Sequence, residues 1–319
     1  MSLAAALALT LAFVGLDGPG TTFEPGAGAD SVVPKGAKVR KLWGEGSFTE
    51  GGALAGDGAI LFSDIGNRLM RFDPATGKVT ALRDPGGRSN GMVFDPKGRL
   101  VVAEGANTGG NRRVSIAEAD GTVRTLADRY EGKKFNSPND VTVDAAGRVY
   151  MSDPRYVGDE PRELDFEGVF RIDPDGSVHR LETTATKPNG LAISPDGKTL
   201  YVADNGSKRR ALVALNLDSD GNVSKPRVIK DFGKGSGIDG FTVTTDGRIV
   251  ATAGSGALAG VYVYAPDGTA LAFIATPEGP ANVEFGGPDR KTLYICAGKS
   301  LYSVETTMTG FHLWPPAGK

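Results

Sequence analysis

The chain has 319 residues, 39% hydrophobic and 23% charged, with a formal net charge of −2. That is a soluble, globular composition without a basic footprint, so nucleic acid is not an expected partner. A single cysteine, Cys296, excludes an internal disulfide and any cysteine-based zinc cluster.

The first element is an apolar run from Leu3 to Leu16 in MSLAAALALTLAFVGL. It is too short to span a bilayer and matches the apolar core of a signal peptide, although no Lys or Arg precedes it. Ala27-Gly28-Ala29 has the small-x-small form of a cleavage site. Residues 1–34 are expected to be a leader or disordered segment, and residues 35–319 the folded unit. The expected location is periplasmic or secreted, or cytoplasmic if the leader is not a signal peptide, with no membrane attachment of the mature form.

From there the chain holds 46 Gly and 19 Pro, with recurring DG, NG and PDG and no long 3.6-residue apolar periodicity. One phrase occurs six times: GDGAILFSD, DPKGRLVVAE, DAAGRVYMSD, SPDGKTLYVAD, TTDGRIVATAG and GPDRKTLYICA. Its turn positions are Gly58, Gly98, Gly147, Gly197, Gly247 and Arg290, spaced 40, 49, 50, 50 and 43 residues apart. Each copy is a hairpin, and further strands such as RLMRFDPATGKVTAL and GVYVYAPDGTALAFI follow within the unit. Four short strands per unit predict an all-β, six-bladed β-propeller. The last unit runs out of strands after SLYSVET, so the N-terminal VRKLWGEG is expected to complete the sixth blade. A solenoid is the rival architecture.

Eight residues before each turn position stand Glu50, Asn90, Asn139, Asn189, Asp239 and Asn282. All are carboxylates or carboxamides, although Asp, Glu and Asn make up only 49 of the 319 residues. Asn-Gly at Asn90 and Asn189 could be simple turns, but turn chemistry does not explain Glu50, Asn139-Asp140 or Asn282-Val283, nor the shared register. Each residue opens the first strand of its unit, which in a propeller lines the central channel. The six are therefore expected to converge at the channel mouth, as polar groups in a concavity do at a binding site.

Oxygen donors without sulfur or imidazole suit a hard cation, Ca²⁺ first, with Mg²⁺ or Mn²⁺ behind it. Two carboxylates, Glu50 and Asp239, balance a dication. Zinc is a further possibility, but the only histidines, His179 and His312, lie out of register, which also argues against a histidine-dependent esterase. No G-x-S-x-G elbow, Walker loop or H-E-x-x-H occurs. GSGIDG at 235–240 fits G-x-G-x-x-G, but a strand, FTVTTDGRIV, follows it, so a dinucleotide site is excluded. Cys296, in TLYICA, is expected to be a buried structural thiol.

FTEG, NSPNDVTVD, SDPRY, KPNGLAISPDGKTLYVAD and PANVEFGGPDRKTLYICAG closely resemble bacterial gluconolactonases of the senescence marker protein/gluconolactonase family, which includes regucalcin. The similarity spans about Lys41 to Thr306. It implies a metal-dependent hydrolase of sugar lactones with a cation, usually Ca²⁺, held by Glu50, Asn139, Asn189 and Asp239; a monomer is expected. On that resemblance the cation would polarise the lactone carbonyl and Asp239, the expected catalytic residue, would orient or deprotonate the attacking water, with Asn90 and Asn282 facing the channel behind the ligands or against the substrate. A phosphotriester hydrolase resembling diisopropylfluorophosphatase, and a non-catalytic propeller binding a sugar or partner around Ca²⁺, are the alternatives; strictosidine-synthase-like propellers lack this ligand set. Two departures stand out. The family's Gly-Pro after the glutamate is here Gly51-Gly52, and an Arg two residues before the third ring position in regucalcin-type members is here Ser137. Arg112, Arg113 and Arg155 are candidate replacements.

Overall fold

A computed structural model describes residues 18–118 and 120–314. Six antiparallel sheets form the six blades of a β-propeller. Their innermost strands are Thr49–Leu54, Ser89–Phe94, Val141–Val143, Pro188–Ile193, Ile238–Val243 and Pro280–Gly286. The predicted turns follow these strands: Gly58, Gly98, Gly147, Gly197 and Gly247 all have positive φ, and Arg290 adopts φ 56° in the sixth copy. Glycine takes that conformation without steric cost, whereas a side chain does not.

Blade six is closed as expected. Val39–Trp43 pairs with Ser300–Glu305, which continues through Thr292–Ala297 to the innermost Pro280–Gly286. Joining the chain's ends in one sheet removes the open edge that a propeller would otherwise leave. A correction applies to the predicted boundary near residue 34. Thr22–Phe23 adds a fifth strand outside Val39–Trp43. Ala29, Val32 and Val33 are buried in the core between blades five and six. Ala27-Gly28-Ala29 is thus a short 3₁₀ turn within the fold, while the run Leu3 to Leu16 lies outside the described residues. No helix among the described residues is long and apolar enough to cross a membrane.

The core consists of six apolar clusters, one at each blade–blade interface. For example, Val101 and Ile116 of blade two meet Val141, Met151 and Phe170 of blade three, and Val250 and Val261 of blade five meet Ile295 and Val304 of blade six. Each fully buried Val, Ile, Leu or Phe side chain contributes about 1.5–3 kcal/mol, so stability is spread around the ring. The centre is left free for polar groups.

Candidate active site

In five blades the pairing of the first two strands slips at the same place: between Glu50 and Ala53, Ser89 and Met92, Pro188 and Leu191, Ile238 and Phe241, and Pro280 and Asn282. In blade three the strand begins only at Val141, after Asn139 donates its N–H to the Ser152 carbonyl at 2.9 Å. A bulge of this kind re-aims side chains. The six predicted residues therefore all lie at the N-terminal ends of the innermost strands, and Glu50, Asn139, Asn189 and Asn282 are buried there.

The Asn-Gly pairs are not turns. Asn90-Gly91 and Asn189-Gly190 lie inside strands, and the glycines serve close approach at the axis. A Cβ on Gly91 would stand 2.0 Å from Asp140 Oδ1, and one on Gly190 would stand 2.4 Å from the Asp239 carbonyl oxygen. Gly51 meets Asn90 and Gly240 meets Asn282 in the same way. In these four blades a glycine thus leaves room for the next blade's polar residues at the mouth.

Blade six has Val283 at this position; blade three has Asp140 and so supplies a residue that the sequence alone did not single out. Asp140 occupies the position that glycine holds in four other blades. Its Oδ1 accepts the Val141 N–H at 2.9 Å and its Oδ2 accepts the Leu191 N–H at 3.2 Å. The signal was present in the sequence as a carboxylate standing where the repeat has Gly.

The ring's contacts are mostly internal. Asn189 Nδ2 donates to Asp239 Oδ1 at 2.7 Å and to the Tyr156 hydroxyl at 3.2 Å. Asn282 Nδ2 donates to Glu50 Oε2 at 3.2 Å, and Asn282 Oδ1 accepts its neighbour's backbone N–H. Asn282 thus steadies Glu50. The carboxamides of Asn90 and Asn139 hydrogen-bond to nothing among the described residues. Burial, then repulsion from Asp239 and Asp140, holds the Glu50 carboxyl well above the usual range. Burial likewise raises Asp239, partly offset by the Asn189 amide, and pushes Asp140 up to about 7. None of the three pairs with a Lys, Arg or His among the described residues.

Buried carboxylates in mutual repulsion, with neutral amide oxygens beside them, suit a hard dication. No group of three or more His, Cys, Asp or Glu assembles as a metal cluster among the described residues. Such a site depends on Asn139 and Asn189 as much as on Glu50 and Asp239. Cys296 is buried, and its Sγ–H donates to the Gly51 carbonyl at 3.1 Å. Burial raises its pKa well above that of an ordinary thiol, so it is a structural group as expected.

Two cavities flank the ring. One, of about 540 Å³, lies over Asn189 and Asp239 and is walled by Tyr156, Lys187, Asn205, Arg210 and Ser236. The other, of about 220 Å³, runs down the channel from Asp140 and Asn282 to Phe311–Trp314. This C-terminal segment crosses the far end of the channel. The Phe311 N–H donates to the Val243 carbonyl at 3.0 Å, and the Trp314 ring covers Gly98. His312 Nε2 sits 2.8 Å from Glu284 Oε1, at the end of the channel remote from the ring. Gly52 makes room there, since a Cβ on it would lie 2.9 Å from Glu284 Cβ.

The three candidate arginines line neither cavity. Arg112 donates to the Phe135 carbonyl at 2.8 Å, Arg113 pairs with Glu104 at 2.7 Å, and Arg155 donates to the Asn136 carbonyl at 2.7 Å. Ser137 accepts the Ala106 N–H at 2.9 Å, which ties down a neighbouring loop. Buried acids at the ends of second strands do similar work. Asp153 accepts the N–H groups of Asn136 and Ser137, and Asp204 those of Thr186 and Lys187.

Fold and mouth together define a six-bladed propeller with one polar, acid-rich channel entrance. The SMP-30/gluconolactonase/LRE-like family model matches residues 43–299, and the chain belongs to that family. It is 30% identical to a gluconolactonase of Zymomonas mobilis over 88% of this chain and 85% of that protein. It is 27% identical to a 6-deoxy-6-sulfogluconolactonase of Pseudomonas putida over 81% and 84%. Among solved structures, a Xanthomonas campestris gluconolactonase superposes with a TM-score of 0.79 at 28% identity, covering 93% of this chain and 99% of the other.

Proposed function

We propose that this protein is a metal-dependent lactonase that opens sugar lactones of the gluconolactone kind. The observation that carries this reading is the set of carboxylates Glu50, Asp140 and Asp239, the first two buried, close enough to repel one another and without a cationic partner among the described residues. Family membership supplies the lactone.

Glu50, Asn139, Asn189 and Asp239 would hold a divalent cation, with Ca²⁺ favoured by an all-oxygen, irregular donor set. The chemistry such an ion supplies is polarisation of the lactone carbonyl. Asp239 accepts a proton from the attacking water, and Asn189, 2.7 Å away, fixes the orientation of its carboxylate. Asn282 holds Glu50 in place, and Asn90 faces the substrate. Hydrolysis forms a bond from the water oxygen to the carbonyl carbon and breaks the ring C–O bond. The ring oxygen takes up a proton, and a free hydroxy acid is released.

The test is a panel of aldonolactones followed by acid release, with metal-replete wild type beside Asn189→Ala. Wild type should exceed the uncatalysed rate, and Asn189→Ala should lose that excess. A silent panel on protein that still binds metal would point to a binding propeller instead.

A further inference from the structure

The two cavities differ in charge as well as in position. No Lys or Arg lines the lower one. The upper one has Lys187 and Arg210 on its wall and only one acid, Asp239. Arg210 follows the loop Asn205-Gly206-Ser207-Lys208-Arg209, which joins the second and third strands of blade four. Ser207, Lys208 and Arg209 are exposed. Lys208, Arg209 and Arg210 form no ion pair among the described residues, and the one side-chain hydrogen bond of Arg210 among them runs from Nη1 to the Gly235 carbonyl at 2.7 Å.

Lys187 is more committed. Its Nζ donates to the Arg155 carbonyl at 3.1 Å, and it lies 4.6 Å from the centre of the Tyr156 ring. Its nearest carboxylate, Glu167, is 3.9 Å away and closer to Arg162 at 3.2 Å. The same cavity carries groups suited to sugar hydroxyls. Ser207 and Ser236 make no side-chain hydrogen bond among the described residues, and Asn205 Oδ1 is buried without a partner.

Asp239 and Arg210 line the same cavity, so a lactone bound at Asp239 would share it with the Arg210 guanidinium. A neutral sugar leaves that guanidinium without a counter-ion, whereas an anionic group meets its planar fork in two-point contact. We propose that the substrate is an acidic lactone, carrying a carboxylate, sulfonate or phosphate at the end remote from the lactone carbonyl, with Arg210 as its anchor. This inference rests on the lactonase reading of the same site.

The test compares kcat/KM for glucono-1,5-lactone with that for counterparts bearing a phosphate, a sulfonate or a carboxylate at C6. The charged substrates should be preferred by about 10- to 100-fold, the range of a charge-assisted contact. The preference should lie in KM, shrink with added salt, and its ranking among the three identifies the anion. Arg210→Gln should lose about tenfold more on the preferred charged lactone than on the neutral one, and Arg210→Lys should keep part of the preference. Equal use of neutral and charged lactones, or equal losses on both in Arg210→Gln, would overturn the inference while leaving the lactonase reading intact. Failure to open any lactone would remove that reading, and this inference with it.

Discussion

The same six strands build both ends of the channel, yet the ends have opposite chemistry. At the mouth, bulges and glycines bring carboxylates and amides to the axis, and three acids, two of them buried, repel one another. At the far end, the C-terminal segment Phe311–Trp314 lies across the opening, with Phe311 and Leu313 packed on different inter-blade cores. The propeller thus keeps one end in an electrostatically costly arrangement and gives the other to packing. The lesson is that one repeated register can gather polar groups at one end of the channel, while a single departure from it, Asp140 in a glycine position, adds a further buried acid there.

The sharpest way to probe the mouth is to separate charge from proton transfer. Asp239→Asn keeps an oxygen for a cation but removes the proton acceptor, and general-base assistance is worth about 10²–10⁴-fold in rate. Asp239→Asn should therefore lose activity on that scale even at saturating metal. Glu50→Gln should lose metal affinity and recover much of its rate as metal is raised. Equal recovery of both variants, followed by initial rates across a metal titration, would reduce Asp239 to a ligand.

Paired substitutions at the two ends test the contrast itself. A Cβ on Gly91 would stand 2.0 Å from Asp140 Oδ1, and overpacking of this kind costs about 1–3 kcal/mol or more. Gly91→Ala should lower both the denaturant midpoint and kcat/KM. Trp314 is half-buried, so Trp314→Ala should cost about 1–2 kcal/mol, below the loss for a full core aromatic, and leave kcat/KM nearly unchanged. Loss of activity without loss of stability in Trp314→Ala would show that the far end contributes to chemistry.

A smaller effect follows from the buried acids. The Asp140 carboxyl stands at about 7 in the folded chain against about 3.9 when unfolded. Between those values the folded state binds more protons than the unfolded one, so stability falls as pH rises. The metal-free protein should melt progressively lower from about pH 4 to about pH 7 through this term and level off above it. Asp140→Asn should flatten that slope in thermal melts. A melting temperature that rises across the same range, unaltered in Asp140→Asn, would mean that the mouth acids are not under strain.

Much of this architecture was legible in the sequence because propeller turns carry obligate residues. Once Gly58 through Arg290 set the register, counting back eight residues reached the mouth in every blade. The count succeeded because the slip in strand pairing recurs at one place. What was not legible depends on loops of unequal length and on chain crossings. Tyr156 comes from the long connection between Asp153 and Gly168, whose path no repeat defines, while Lys187 and Arg210 sit at or beside strand starts where the repeat gives no residue signal. The segment Phe311–Trp314 crosses the channel by pairing outside the repeat, through Thr244 and Gly310. The fold of residues before 34 was missed because Thr22–Phe23 is too short to show alternation.

The most direct measurement follows lactone opening and melting temperature together on one sample as metal is stripped with chelator and Ca²⁺ is added back. Binding to the folded state alone at a hundred times the dissociation constant adds about 2.7 kcal/mol. Chelation should therefore abolish turnover and lower the melting temperature, and Ca²⁺ should restore both over one concentration range. Full activity and an unshifted melting temperature in excess chelator would contradict a metal-dependent mouth and leave Glu50 and Asp239 as a bare acid–base pair.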